Sequence, residues 1–280
     1  MREISCGAIA DAVAGMCIES CCMLPDDVKD AVKDAYESET SSACKSALMN
    51  IIDNYNIAER ENVPICQDTG ICCVFLTVGQ EVHITGGSLY EAVNEGVCRG
   101  YETGYLRKSV VSDPITRINT KDNTPALIYY DIVPGDSFDI TVAPKGAGSE
   151  NMSRIAMLTP ADGLDGVCDF IIDCVVKADA NPCPPVIVGV GIGGDFERAA
   201  INSKKALTKN ISKGNDDPFY ADIEESLRKR INKTGIGAMG YGGTQTCLKV
   251  NIIAEPTHIA MLPVAVNMSC HCTRHITRSL

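Results

Sequence analysis

Between Pro25 and Tyr36 the apolar side chains fall at Val28, Ala31, Val32, Ala35 and Tyr36, the three- and four-residue spacing of one helix face. Pro25, Asp26 and Asp27 stand where a helix start favours a fixed φ and negative charge. Ala47, Leu48, Ile51, Ile52 and Tyr55 repeat the spacing behind Ser41-Ser42, whose hydroxyls suit a helix cap. The first sixty residues thus predict a helical layer. At Ile71 the period changes: Ile71–Val78 is a short apolar run between Gly70 and Gly79, which predicts a buried strand.

Helical spacing returns over 88–105 through Leu89, Ala92, Val93 and Val97. Two β-rich runs, 126–133 and 137–143, flank Pro134-Gly135-Asp136 and predict a hairpin. Helices over 164–178, 196–207 and 220–232 and strands over 186–190, 247–254 and 259–266 complete the pattern. Helices come first and strands mix antiparallel pairs with isolated runs, so the fold class expected is α+β, helices packed around a small mixed β-sheet. No repeat and no low-complexity linker interrupts the chain, and a single domain over 1–280 is expected.

Charge narrows the function classes. The 280 residues carry 36 acidic against 25 basic side chains, a net charge of −11, whereas a phosphate-backbone binder needs a basic stripe. Nucleic acid is therefore not an expected partner. Nor is a membrane, since no uncharged apolar run reaches the roughly 18 residues a span requires. Fifteen cysteines, an odd number, fit a secreted disulfide scaffold poorly, and Met1-Arg-Glu-Ile-Ser-Cys6 lacks the apolar core of a signal peptide. Reduced thiols in a cytoplasmic setting are expected, most of them serving as small buried hydrophobes.

Several segments have a composition suited to chemistry. Gly189, Gly191 and Gly194 form a G-x-G-x-x-G after a predicted strand, but the stretch 207–216 offers no second strand with an acidic end to hold a ribose. The glycines still suit a tight turn that brings amides toward an anion. Lys145-Gly146-Ala147-Gly148-Ser149-Glu150-Asn151 sets a cation, a hydroxyl and backbone donors in one loop, which suits a carboxylate or phosphate. Its order differs from a Walker A loop, because the lysine precedes the glycines.

Three cysteines occupy unusual surroundings: Cys66 in Pro64-Ile-Cys-Gln-Asp-Thr-Gly70, Cys183 in Asn181-Pro-Cys-Pro-Pro185, and Cys270 in Asn267-Met-Ser-Cys-His-Cys272. The prolines point to loops, and the wide spacing matches no zinc pattern of close cysteine pairs. Three thiolates on separate loops suit a cubane iron–sulfur cluster with one iron open as a Lewis acid. Spacing alone leaves Cys270 and Cys272 as alternatives for the third thiolate.

Taken together, Cys66-Gln-Asp-Thr-Gly70, Lys145–Asn151, Cys183-Pro-Pro185, Pro256-Thr-His258 and Ser269-Cys270 resemble the α subunit of class I fumarate hydratases, a family shared with L(+)-tartrate dehydratase. The resemblance runs from about Ala10 to Cys272 and implies reversible hydration of fumarate to L-malate with a 4Fe-4S cluster. It implies Cys66, Cys183 and Cys270 as cluster ligands and Asp68 as the carboxylate that supports proton transfer. It also implies Arg107, Lys145, Gly146 and His258 as residues near the dicarboxylate substrate. The family usually has glycine at the position of Ala147, so a positive φ is not expected there. Single-chain members carry a further C-terminal domain, which implies a separate β subunit here. A net charge of −11 agrees with that, because Arg107, Lys145 and His258 are few cations for a dianion and a cluster. An L(+)-tartrate dehydratase α subunit is the alternative within the class. A nicotinamide-binding oxidoreductase and a non-catalytic iron-binding subunit are the alternatives outside it.

Overall fold

The computed structural model describes residues 2–280. In chain order these form β1 (Arg2–Ser5), α1 (Cys6–Cys22), α2 (Asp26–Ser38), α3 (Ser42–Glu61), β2 (Ile71–Gly79), β3 (Val82–Thr85), α4 (Leu89–Thr103), β4 (Leu127–Val133) and β5 (Phe138–Lys145). There follow α5 (Ala147–Glu150), β6 (Arg154–Leu158), α6 (Gly163–Ala178), β7 (Val186–Gly194), α7 (Phe196–Ala206), α8 (Pro218–Asn232), β8 (Cys247–Thr257), β9 (Leu262–Ser269) and β10 (Ile276–Ser279). The fold class is α+β with mixed sheets, as the periodicity predicts.

The chain divides into two compact units that interleave along the sequence. Of the described residues, one comprises 2–25, 55–147 and 274–280, the other 26–54 and 148–273. The chain passes between units at the start of α2, within α3 and α5, and in the loop before β10.

The first unit holds a four-stranded sheet in the order β10-β5-β2-β4 and a parallel pair, β1 with β3. β2 lies at its centre, parallel to β4 and antiparallel to β5. The hairpin predicted over 126–143 is therefore not formed: its two runs are separated by β2. The reason is burial. The apolar run of β2 has Cys72, Cys73, Val74 and Leu76 almost wholly buried and occupies the central position such a strand needs. α1 covers the sheet with Val13, Met16 and Cys17 against Val74, Leu76, Phe138, Ile140 and Val142. α4 lies close along α1, where a Cβ on Gly96 or Gly100 would stand 2.7 or 2.8 Å from the carbonyls of Ala10 or Ala14.

The second unit holds the sheet β6-β9-β7-β8, with β7 parallel to β8 and antiparallel to β9. α6 and α8 bury Ile171, Val175, Leu227 and Ile231 against Val188, Val190, Val250 and Val264. Here the glycine motif takes a different role from the one its spacing suggests. Gly189 and Gly191 lie inside β7, and a Cβ there would stand 2.1 Å from the Ser203 carbonyl or 2.0 Å from that of Ala199. Their missing side chains let α7 approach the strand; they form no anion-binding turn. α7 itself starts at Asp195, whose carboxylate accepts from the Arg198 amide at 2.9 Å.

Candidate active site

In the first unit Cys66 and Asp68 occupy the loop between α3 and β2, and Lys145 ends β5. Antiparallel pairing sets Ile71 opposite Lys145, which brings the 66–70 loop to the glycine segment 146–147 at one end of the sheet. Gly70 makes the approach possible. Its φ is +77° and a Cβ would lie 2.6 to 2.7 Å from the Lys145 backbone, so only glycine fits.

The Asp68 carboxylate is held by the backbone on both oxygens. Oδ1 accepts from the Gly70 amide at 3.0 Å and Oδ2 from the Ala147 amide at 2.8 Å. The Asp68 amide in turn donates to the Cys66 sulfur at 3.4 Å. Gly146 lies against the carboxylate: a Cβ on it would stand 3.2 Å from Oδ2. Ala147 opens the single-turn helix α5 and is absent from the residues with positive φ, as expected at this position.

A hydrogen-bond scaffold supports this loop from below. The buried Tyr101 hydroxyl donates to the carbonyls of Thr69 and Gly70 at 2.7 and 3.1 Å, and Asn123 Nδ2 donates to the Gly70 carbonyl at 3.2 Å. Thr69 Oγ1 donates to the Arg107 carbonyl at 3.0 Å, tying the exposed Arg107 to the same loop. Arg274, buried, donates its guanidinium to the Asp68 carbonyl. Tyr101, Asn123 and Arg274 carry no sequence signal for this role. They act through loop carbonyls, and no local motif announces that.

In the second unit Cys183 and Cys270 lie at the same end of the sheet. Cys183 precedes β7 and Cys270 follows β9, and these strands pair with Ile187 opposite Ser269. The His271 amide donates to the Cys183 carbonyl at 3.3 Å and joins the two loops. Cys183 has φ +55°, a left-handed conformation that costs a non-glycine residue about 1–2 kcal/mol. His258 sits elsewhere: it is exposed in the turn between β8 and β9, at the end of the sheet opposite Cys183 and Cys270. Within this unit it shares no site with them.

Burial separates the thiols. Ten of the fifteen are buried, and five, Cys6, Cys66, Cys98, Cys183 and Cys270, are half-buried. Cys6 and Cys98 belong to helices, which leaves Cys66, Cys183 and Cys270 as the half-open thiols on loops. Cys272, the alternative to Cys270, is buried and lies 3.3 Å from the His271 ring. Burial pushes the thiols of Cys174 and Cys247 up to about 12, and that of Cys21 likewise despite the nearby Arg274, so they stay protonated at neutral pH. Among the described residues no group of three His, Cys, Asp or Glu side chains is gathered for a metal ion. The fit to a cluster therefore rests on donor chemistry: three accessible loop thiols are the donor set a cubane cluster with an open iron takes.

The sequence profile of fumarate hydratase (Fumerase) matches residues 10–279. The chain belongs to the fumarate hydratase family. Family members are hydro-lyases, and this chain is accordingly a carbon–oxygen lyase chain. It is 40% identical over 278 residues to the "Putative L(+)-tartrate dehydratase subunit alpha" of Methanocaldococcus jannaschii, covering 97% of each. It is 34% identical over 258 residues to the L(+)-tartrate dehydratase subunit alpha of Escherichia coli strain UTI89, covering 91% of this chain and 84% of that one. The corresponding subunit of Escherichia coli K12 is 33% identical over the same coverage.

Proposed function

We propose that this chain is the cluster-bearing subunit of a heteromeric hydro-lyase that adds water reversibly to fumarate to give L-malate. The observation that carries the reading is the Asp68 carboxylate, two residues from Cys66 and fixed by the Gly70 and Ala147 amides at 3.0 and 2.8 Å. Two donors hold its plane, while the remaining lone pairs stay free to exchange a proton with a substrate carbon or water. Cys66, Cys183 and Cys270 would hold a 4Fe-4S cluster through their thiolates. When bound, such a cluster with one open iron supplies a Lewis acid for a substrate oxygen.

The remaining work falls to the chain's own residues. Arg107 grips a substrate carboxylate through two parallel hydrogen bonds, and Lys145 adds a second positive charge. Gly146 keeps the space beside Asp68 Oδ2 open, since any Cβ would come within 3.2 Å of it. His258, exposed at the far end of its sheet, is left out of this reading. Arg107 and Lys145 match only the two charges of the substrate and leave none for a cluster held by three thiolates on a chain of net charge −11, so a basic β subunit completes the site and excludes water. The name "subunit alpha" carried by the relatives supports such a partner.

The same relatives favour a second reading, L(+)-tartrate as substrate. The deciding experiment pairs the chain with its candidate β subunit, loads iron and sulfide anaerobically, and assays both substrates side by side. The fumarate reading expects kcat/KM for fumarate at least about tenfold above that for L(+)-tartrate. The reverse ratio replaces it with the second reading.

A further inference from the structure

The turn that presents Cys183 holds itself only on its near side, where the Cys183 amide donates to the Ala180 carbonyl at 3.0 Å. Pro184 and Pro185 follow the cysteine and bring no amide donors, so the carbonyls of Cys183 and Pro184 take theirs from elsewhere in the chain. One is the His271 amide on the Cys183 carbonyl at 3.3 Å. The other is the Met239 amide on the Pro184 carbonyl at 2.7 Å.

Met239 belongs to a loop of unusual backbone. Gly235, Gly237, Gly240, Gly242 and Gly243 all have positive φ, and Met239 joins them at +53°. The loop lies hard against the Cys183 turn, for a Cβ on Gly240 would stand 2.5 Å from the Ala180 Cβ. A segment so rich in left-handed residues needs an outside anchor, and Glu39 provides it. The buried carboxylate accepts from the amides of Thr244 and Gln245 at 2.7 and 3.1 Å through Oε2, and from those of Thr40 and Ser41 at 2.7 and 2.9 Å through Oε1. The Ala238 amide is held at the same place by Cys44 Sγ, at 3.2 Å. Gly243 packs so closely that a Cβ would come within 2.7 Å of Glu39 Oε2.

We propose that Glu39 is a positioning residue for Cys183, acting through the 234–246 loop and the Met239–Pro184 hydrogen bond. The inference deepens the cluster reading and rests on it only for its consequence, the retention of iron. Glu39→Gln removes the charge that gathers four amides, and Gly240→Ala pushes the loop off the Cys183 turn from the other side.

The test uses the full chain, reduced and metal-free, with N-ethylmaleimide labelling followed thiol by thiol by mass spectrometry. A second measurement follows iron release to a chelator from anaerobically reconstituted protein. In Glu39→Gln and Gly240→Ala, Cys183 labels at least about fivefold faster while Cys66 keeps its rate, and iron leaves about fivefold faster. Faster Cys183 labelling with unchanged iron release supports the positioning role and removes Cys183 from the ligand set. Equal changes at Cys183 and Cys66, or none at either, overturn the inference. Should Glu39→Gln fail to fold, Glu39→Asp, which keeps the charge but shortens its reach to the loop amides, takes its place and is expected to give the same change at Cys183.

Discussion

The Ala147 amide donates to Asp68 Oδ2 at 2.8 Å, so this residue contributes to the site through its backbone. With the Gly70 amide on Oδ1, every fixed donor to this carboxylate comes from the main chain. Asparagine at position 68 would turn an NH2 group toward one of those amides and would remove the proton acceptor. Asp68→Asn should lower kcat by about 10²-fold or more while leaving iron content unchanged. Steady-state kinetics with parallel iron analysis checks this; a rate within a few-fold of the parent would remove Asp68 from the chemistry.

Gly70 is a backbone requirement and can be tested as one. Alanine there meets both a φ of +77° and the Lys145 main chain at 2.6 to 2.7 Å. Gly70→Ala should destabilise the chain by about 2–4 kcal/mol, read from urea unfolding. A change below about 0.5 kcal/mol would show that the two segments separate readily.

Glu39 gives the fold a pH dependence with a defined sign. Burial pushes its carboxyl up, but the amides of Ser41, Thr244 and Thr40 together with the Cys44 thiol outweigh that and bring it from 4.5 down to about 2. A depressed carboxyl contributes stability that is complete above its unfolded value and is lost as pH falls through the folded one. Unfolding free energies of the parent and Glu39→Gln, from urea titration, should therefore differ by a constant amount above about pH 5, on the order of 3 kcal/mol. The gap should close between pH 4.5 and about 2. A gap independent of pH would mean that shape, not charge, holds the loop.

His258→Ala should leave kcat and KM within about threefold of the parent, because the side chain lies at the opposite end of its sheet from Cys183 and Cys270. A loss of about 10²-fold would restore the role its Pro-Thr-His context suggests.

Much of the layout is legible in the order of residues alone. Helical spacing locates α2, α3, α4, α6, α7 and α8, and the continuous apolar run at 71–78 locates β2. The short strands β1, β3, β6 and β10 escape such a reading, since each has four or five residues, too few for a period to register. Strand partners escape it too, because a turn such as Pro134-Gly135-Asp136 reverses the chain without deciding what lies between its arms. At the candidate site, Cys66 and Cys183 stand out by their proline neighbours and Cys270 by its Cys-His-Cys setting, whereas Asp68 is named only by the family resemblance. Tyr101, Asn123, Arg274 and Glu39 do not stand out, because each acts on main-chain atoms distant in sequence. The five glycines of 235–243 are a visible signal for a left-handed loop.

The most direct measurement of the central claim is iron and acid-labile sulfide per chain after anaerobic reconstitution of Cys66→Ala, Cys183→Ala, Cys270→Ala and Cys272→Ala. The account predicts that the first three lose the cluster and its broad visible absorption while Cys272→Ala keeps both. Full cluster retention in any of the first three, or its loss in Cys272→Ala alone, would contradict the proposed ligand set.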